Sequence, residues 1–338
     1  MILVTGGTGL VGSHLLYQIC QSETKVRAIK RAQSNTEFVR QVFSFYTEKV
    51  DILFKKIEWV DANLLNISEL DFAFEGIIKV YHCAACISFN PKHKTKMTHT
   101  NIEGTTNVVN LCLAHRVKKL CYVSSVAAIG QVIDIGSIDE NMPWKNSPKN
   151  SYYALSKYRS EMEVWRGIEE GLNAVIVCPA IILGPGKWGK GSSMLFKQVW
   201  KGLSFYPSGT NGFVDVRDVA NVMIQLMEST IKSNRYILCA ESIPFKKTLD
   251  YIACSLGKKK PNIKIGPFLS ALSWRIAKFI SIINLKSPLI TKETALAGNN
   301  ICVYDNKKIK AELNYQFISV KQSCKDSSML FLKKYKLR

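Results

Sequence analysis

The chain has 338 residues, of which 47% are hydrophobic, 10% aromatic and 21% charged. This is globular composition, which excludes disordered, collagen-like and small disulfide-framework proteins. The net charge is +20, and residues 241–338 carry most of it, with 19 basic against 6 acidic side chains. So basic a third suits an anionic partner or a lysine-rich solvated surface.

Apolar runs alternate with helical periods, the pattern of an α/β, Rossmann-type doubly wound parallel sheet. Strand is expected at 2–5, helix at 10–21, strand at 25–30, helix at 34–47 and strand at 56–61. A short helix at 67–74 leads to a strand at 79–84. A long helix at 98–115 and a strand at 119–124 follow, then a long helix at 152–169 and a strand at 173–178. After Pro179 glycines crowd a loop-rich stretch. A helix at 193–202, a short aromatic strand, a strand and helix over 213–227, a strand at 235–239 and a helix at 246–256 complete the reading. The dinucleotide-binding domain is expected over 1–178, with 213–240 returning to it. A smaller, mixed α/β substrate domain is expected over 179–212 and 241–310, and a basic tail over 311–338.

Residues 5–12 read T-G-G-T-G-L-V-G, with Gly6, Gly9 and Gly12 spaced by three. Following a strand and opening a helix, such glycines allow a tight turn, close approach to a pyrophosphate and tight helix–strand packing. The helix N-terminus adds free N–H groups for the phosphates. At the end of the second strand stand Lys30 and Arg31, where an NAD site usually carries an acid. Two cations suit a 2′-phosphate, so NADP(H) is favoured and NAD(H) is the alternative. The nearest acids, Glu37 and Asp61, look misplaced for a ribose.

Tyr153 and Lys157 stand four apart on a predicted helix and share one face. An ammonium beside the phenol would lower its pKa and suit it to proton transfer near neutral pH. Ser124 and Ser125 end the fifth strand, at the sheet edge where ligands sit in open α/β folds. Asn101 lies on the helix after strand four, where it could support a relay or serve packing.

Ten cysteines are too sparse for a disulfide framework and fit free thiols in a reducing compartment. The Cys83–Cys86 spacing has no second pair, so no metal or redox role is expected. No leader is expected ahead of the first strand, and the location read is cytoplasmic. Residues 267–285 are apolar but interrupted by Arg275 and Lys278, which suits an interfacial helix and a peripheral membrane contact.

In order, T-G-G-T-G-L-V-G, H-C-A-A at 82–85, N-I-E-G-T at 101–105, Y-V-S-S at 122–125, Y-A-L-S-K at 153–157 and G-P-G at 184–186 resemble an extended short-chain dehydrogenase/reductase of the NAD-dependent epimerase/dehydratase superfamily. The likeness covers about residues 1–240. It is greatest to the dihydroflavonol-reductase and 3β-hydroxysteroid-dehydrogenase branch, with V-R-A-I-K-R ending strand two and F-V-D-V-R-D-V-A at 213–220. The resemblance implies Tyr153 as general acid/base, Lys157 as ribose ligand and tuner of Tyr153, Ser125 as the group orienting the substrate oxygen, and Asn101 as relay support. It implies Gly6, Thr8, Gly9, Leu10, Val11 and Gly12 around the pyrophosphate. Ala84 and Ala85 would lie beside the adenosine ribose, Asn63 and Leu64 beside the adenine, and Pro179 and Ile182 beside the nicotinamide. Asn63 stands where the family has Asp, Tyr152 where Pro is frequent, and Cys178 where Arg or Asn is usual.

The family's dehydratases place Asp-Glu after the serine, whereas Val126, Ala127 and Ala128 follow here. The expected function is therefore an NADP(H)-dependent oxidoreductase interconverting a carbonyl and a secondary alcohol. Its pocket would be built from Trp188, Phe196, Trp200, Phe205, Tyr206, Phe213, Phe268 and Trp274, and would suit an apolar small-molecule substrate. The alternatives are an NAD-retaining nucleotide-sugar epimerase and a non-catalytic NADP(H)-binding scaffold. Nucleic acid is not an expected partner. By the same resemblance, the two long helices suit a homodimer.

Overall fold

The computed structural model describes residues 1–22, 25–130, 136–148, 150–267, 269–270, 274–275 and 291–336. Strands β1 (Ile2–Thr5), β2 (Val26–Lys30) and β3 (Ile57–Asp61) alternate with helices α1 (Leu10–Ser22), α2 (Glu37–Ser44) and α3 (Val50–Phe54). Then come α4 (Ile67–Phe74), β4 (Lys79–His82), α5 (Lys94–Ala114), β5 (Lys119–Val123), α6 (Tyr152–Glu169) and β6 (Ala174–Pro179). The second half holds β7 (Ile181–Leu183), α7 (Met194–Trp200), β8 (Phe205–Pro207), β9 (Thr210–Asp215) and α8 (Val216–Glu228). It continues through β10 (Asn234–Leu238), β11 (Glu241–Pro244), α9 (Phe245–Leu256) and β12 (Ile263–Ile265). Helices α10 (Lys292–Ala297), α11 (Lys307–Leu313) and α12 (Val320–Lys336) follow.

Seven strands form one sheet in the order β10-β6-β5-β4-β1-β2-β3. Every pair is parallel. Parallel neighbours need crossovers, and the helices supply them on both faces. Alternate strand residues sort to opposite faces. Leu3, Val80, Leu120 and Ile176 meet Leu70, Phe74, Val108 and Val164 from α4, α5 and α6. Ile2, Val4, Tyr81, Cys121 and Val175 meet Leu15, Leu16, Phe43 and Met223 from α1, α2 and α8. The chain runs from β1 outward to β3, then returns to place β4 on the other side of β1. That reversal opens a crevice at the carboxyl ends of β1 and β4.

The second half carries a three-stranded sheet, β11-β9-β7, and a two-stranded ribbon, β12-β8. Its core joins Leu183, Trp188, Phe196, Phe213, Ile252, Cys324 and Phe331. Residues 320–336 are therefore a helix with Phe331 fully buried and packed on α9, not a free tail. The Phe331 ring meets Trp188 edge-on at 5.1 Å and stacks on Tyr335 at 4.4 Å.

Several expected elements differ in their bounds, among them the helix read from 98, which begins at Lys94. The helix read over 34–47 begins at Glu37, whose N–H bonds Asn35 Oδ1 at 2.6 Å, and ends at Ser44. A turn with Thr47 Oγ1 accepting from Lys49 N–H separates it from α3. Strand β4 stops at His82 because Ala84 N–H leaves the ladder for Thr5 Oγ1, at 3.3 Å. Of the aromatics expected to line a pocket, Trp188, Phe196 and Phe213 are buried core, and Trp200 and Tyr206 pack against them. Among the described residues they pack the second half's interior. Phe268 and most of 267–285 lie outside the described residues.

Candidate active site

The sheet brings the predicted residues to one edge. The glycine turn follows β1, Lys30 and Arg31 end β2, and Asn63 follows β3. Ala84 and Ala85 follow β4, Ser124 and Ser125 follow β5, and Pro179 ends β6. In sheet order, Asn63 and Arg31 stand on one side of the glycine turn and Ser125 and Pro179 on the other. An extended two-ended ligand laid across the turn would touch both groups.

The turn is shaped by what its glycines exclude. Gly6 has φ +70°, and a Cβ there would fall 2.6 Å from Ala84 N. A Cβ on Gly12 would fall 2.3 Å from the Gly6 carbonyl oxygen. Gly9 is exposed, and its Cβ would meet only Gly6 O, at 3.1 Å. The backbone is thus drawn tightly against β4 underneath and left bare above. Thr8, Leu10 and Val11 flank it, partly buried. Helix α1 opens here, and its first turn leaves N–H groups without intrahelical partners. This cradle fits a pyrophosphate.

At the other end, Lys30 ion-pairs with Asp61, its register partner on β3. The pairing takes up one of the two cations expected for a 2′-phosphate; Arg31 remains exposed. Asn63 is exposed, and its Oδ1 accepts from Leu65 N–H at 3.2 Å. Leu64 is a core side chain against Gly104, and Asn107 takes its carbonyl at 2.8 Å.

Ser125 caps the turn Val126–Ile129, accepting from Ala127 N–H at 3.2 Å, and its hydroxyl lies toward the Tyr153 phenol, whose pKa it pulls down. The Tyr153 ring meets Phe89 edge-on at 5.9 Å. Ser151 caps α6, accepting from Ala154 N–H, so Tyr153 sits in the helix's first turn. Ile182, on β7, pairs with Val214.

The expectation that Lys157 lowers the Tyr153 pKa fails. Lys157 Nζ donates to Tyr122 Oη and to the Val123 carbonyl, both at 2.8 Å, and lies 4.5 Å from the Tyr122 ring centre. Burial pushes the Tyr153 phenol up to about 12, against the opposite pull of the Ser125 hydrogen bond. The same burial pulls Lys157 down to about 8, opposed by the Glu161 carboxylate.

The ordinary lysine value is 10.5, so the folded chain binds fewer protons than the unfolded one between about pH 8 and that value. Stability at this residue therefore rises with pH across the window, and its penalty is fully present below about pH 8. The stability of the parent minus that of Lys157→Met should grow by about 3 kcal/mol over that range. Urea unfolding of both at several pH values reads the difference; a flat difference would place the titration elsewhere.

Asn101 is an internal clamp. Its Oδ1 accepts from Cys86 N–H at 2.7 Å, and its Nδ2 donates to Cys86 O and Ser156 Oγ, each at 3.0 Å. Both ends of the amide are occupied in holding the segment after β4.

Sequence reasoning missed the layer beneath. Thr5 Oγ1 meets His82 Nδ1 at 2.6 Å, and His82 Nε2 meets Thr105 Oγ1 at 3.1 Å. Burial drops His82 to about 3, so it is neutral. Tyr122, which lies beside Thr105, holds Lys157. Glu161, fully buried, ion-pairs with Arg235 at 2.8 Å and accepts from Ser124 Oγ at 2.5 Å. Cys178 Sγ points at the same carboxylate, 3.7 Å away, so it faces inward and not toward a substrate. His82 and Tyr122 lay inside motifs already noted, but nothing in spacing says which buried atom they touch. All ten cysteines are unpaired.

The NAD dependent epimerase/dehydratase family matches residues 2–239. A putative dihydroflavonol 4-reductase of Synechocystis is 26% identical over 331 residues, 96% of this chain and 92% of that protein. Tetraketide α-pyrone reductase 2 of Arabidopsis thaliana is 30% identical over 255 residues, 71% of this chain and 78% of that protein. The crystal structure of gox2253 superposes with TM-score 0.82 at 26% identity, covering 100% of this chain and 99% of that one. UDP-glucose 4-epimerase from Thermotoga maritima, solved with UDP-glucose, shares the fold at TM-score 0.77 and 18% identity, covering 98% and 99%.

Proposed function

The chain belongs to the NAD-dependent epimerase/dehydratase family, the extended short-chain dehydrogenase/reductases, and from that premise we propose that it reduces a carbonyl on a largely apolar compound, with NADPH as the preferred cofactor. A nicotinamide dinucleotide is the family's cofactor, and the bare, glycine-lined cradle fits its pyrophosphate. When bound, that cofactor supplies the hydride. The chain supplies the rest. Ser125 holds the substrate oxygen, and the Tyr153 hydroxyl donates the proton that the oxygen needs as it becomes an alcohol.

One observation carries the reading: the end of β5 and the start of α6 bring the Ser125 hydroxyl and the Tyr153 phenol together at the crevice edge, where burial keeps the phenol protonated well above neutral pH. A protonated donor suits reduction. In the chain Val126, Ala127 and Ala128, and no carboxylate, directly follow the serine, which disfavours a dehydration. Phe89 against the phenol and relatives named as dihydroflavonol and α-pyrone reductases favour an apolar, ring-bearing substrate.

The preference for NADPH rests on Arg31, because Lys30 is tied to Asp61. Arg31→Asp should lose about tenfold to a hundredfold of NADPH affinity, the worth of a charge-assisted hydrogen bond, with NADH affinity held or raised. Nicotinamide fluorescence titration with both cofactors measures it; an unchanged ratio would move the 2′-phosphate site elsewhere. The same titration on the parent tests the reading itself, followed by a panel of carbonyl compounds. Tight NADH binding with weak NADPH binding would favour an NAD-retaining epimerase instead.

A further inference from the structure

The charge asymmetry of the sequence is sharpest in one segment. Between residues 242 and 292 one acid, Asp250, stands against ten lysines and arginines. Both Asp250 oxygens are taken by Lys246 Nζ, at 2.6 and 2.7 Å. This segment supplies one side of an exposed apolar step. In the β8–β12 ribbon Phe205 and Ile263 are register partners, and they are 48% and 46% exposed.

Lysines surround that pair in the chain. Lys258, Lys259 and Lys260 are exposed in the loop leading to β12, and Lys264 is exposed within it. Lys258 lays its ammonium 4.1 Å from the Trp200 ring centre, running its stem over an aromatic face. Lys260 continues the charge into a groove of about 600 Å³ between α9 and the start of α12, where Lys247, Lys321 and Lys325 also stand.

We propose that this surface docks on an anionic phospholipid bilayer, with Phe205 and Ile263 entering the headgroup boundary and the lysines gripping the phosphates. Two independent features point there. Exposed charge of one sign, here Lys258, Lys259, Lys260 and Lys264, is attracted to an anionic leaflet, at about a factor of five per lysine. An exposed aromatic–aliphatic pair gains from leaving water, and a nucleic-acid backbone offers it nothing. The inference does not depend on the reductase reading, since its readout is binding to lipid.

The full chain would be sedimented with vesicles of phosphatidylcholine alone and of phosphatidylcholine with phosphatidylserine, at low and high salt. Pelleting with the anionic vesicles, reversed by salt, is expected. Lys258→Glu, Lys259→Glu and Lys260→Glu together should weaken it by about a hundredfold, at unchanged NADPH affinity and thermal midpoint. Phe205→Ser with Ile263→Ser should weaken it by about tenfold or more. No pelleting with anionic vesicles overturns the proposal. So does undiminished binding by the Phe205/Ile263 variant together with equally tight capture of a duplex oligonucleotide, which would make the surface a general polyanion site.

Discussion

Tyr153→Phe is expected to lower turnover by about a thousandfold, within the range that one positioned proton donor contributes, while nicotinamide affinity stays within about twofold. The change deletes one oxygen and keeps the ring, so its edge-on contact with Phe89 survives. What is lost is the hydroxyl that lies toward Ser125. Steady-state oxidation of NADPH with the best substrate of the carbonyl panel reads the first quantity, and fluorescence titration reads the second. A parallel fall in both would mean that Tyr153 shapes the cofactor site and is not the acid.

The second large effect concerns folding. Glu161→Ala should cost about 3–5 kcal/mol, as breaking a buried ion pair from one side does. The carboxylate is fully buried, and Arg235, Ser124 and Trp165 all donate to it. Arg235 would keep carbonyl partners at Glu140 and Met142 but lose its countercharge. For a chain of this size that corresponds to a thermal midpoint lower by about 4–7 °C. Calorimetry measures it. Because Ser124 adjoins Ser125, activity at a temperature well below the midpoint should also fall; a stable variant would show that water replaces the carboxylate.

The parallel sheet was legible because its strands are continuous apolar runs between amphipathic helices. Helices α4 and α6 coincide with their expected bounds, and β1 does as well. Short elements were not legible: three residues at Ile181–Leu183 or Ile263–Ile265 carry too little periodicity to stand out from loop. The glycine turn and the Ser125–Tyr153 pairing could be anticipated, since each follows from a local motif placed on a strand end. The lysine could not be placed from spacing alone. Lys157 and Tyr153 do share a helix face, yet Tyr122 and Val123, distant in sequence, compete for the ammonium and win it. The aromatics misled for a similar reason. A run of large rings reads equally as pocket or core, and only the arrival of Phe331 from α12 decides for core.

That arrival has a kinetic side. Strand β10 ends at Leu238, and α12 begins at Val320. At cellular synthesis rates the second follows the first by about 4–16 s. During this interval the seven-stranded sheet has all its strands, whereas Trp188, Phe196 and Phe213 lack the helix that covers them. The nascent chain then holds all seven strands while Ile309, which completes the sheet's core, and Phe331, which covers the aromatics, are still to come, so apolar surface on both halves is open to aggregation during that interval.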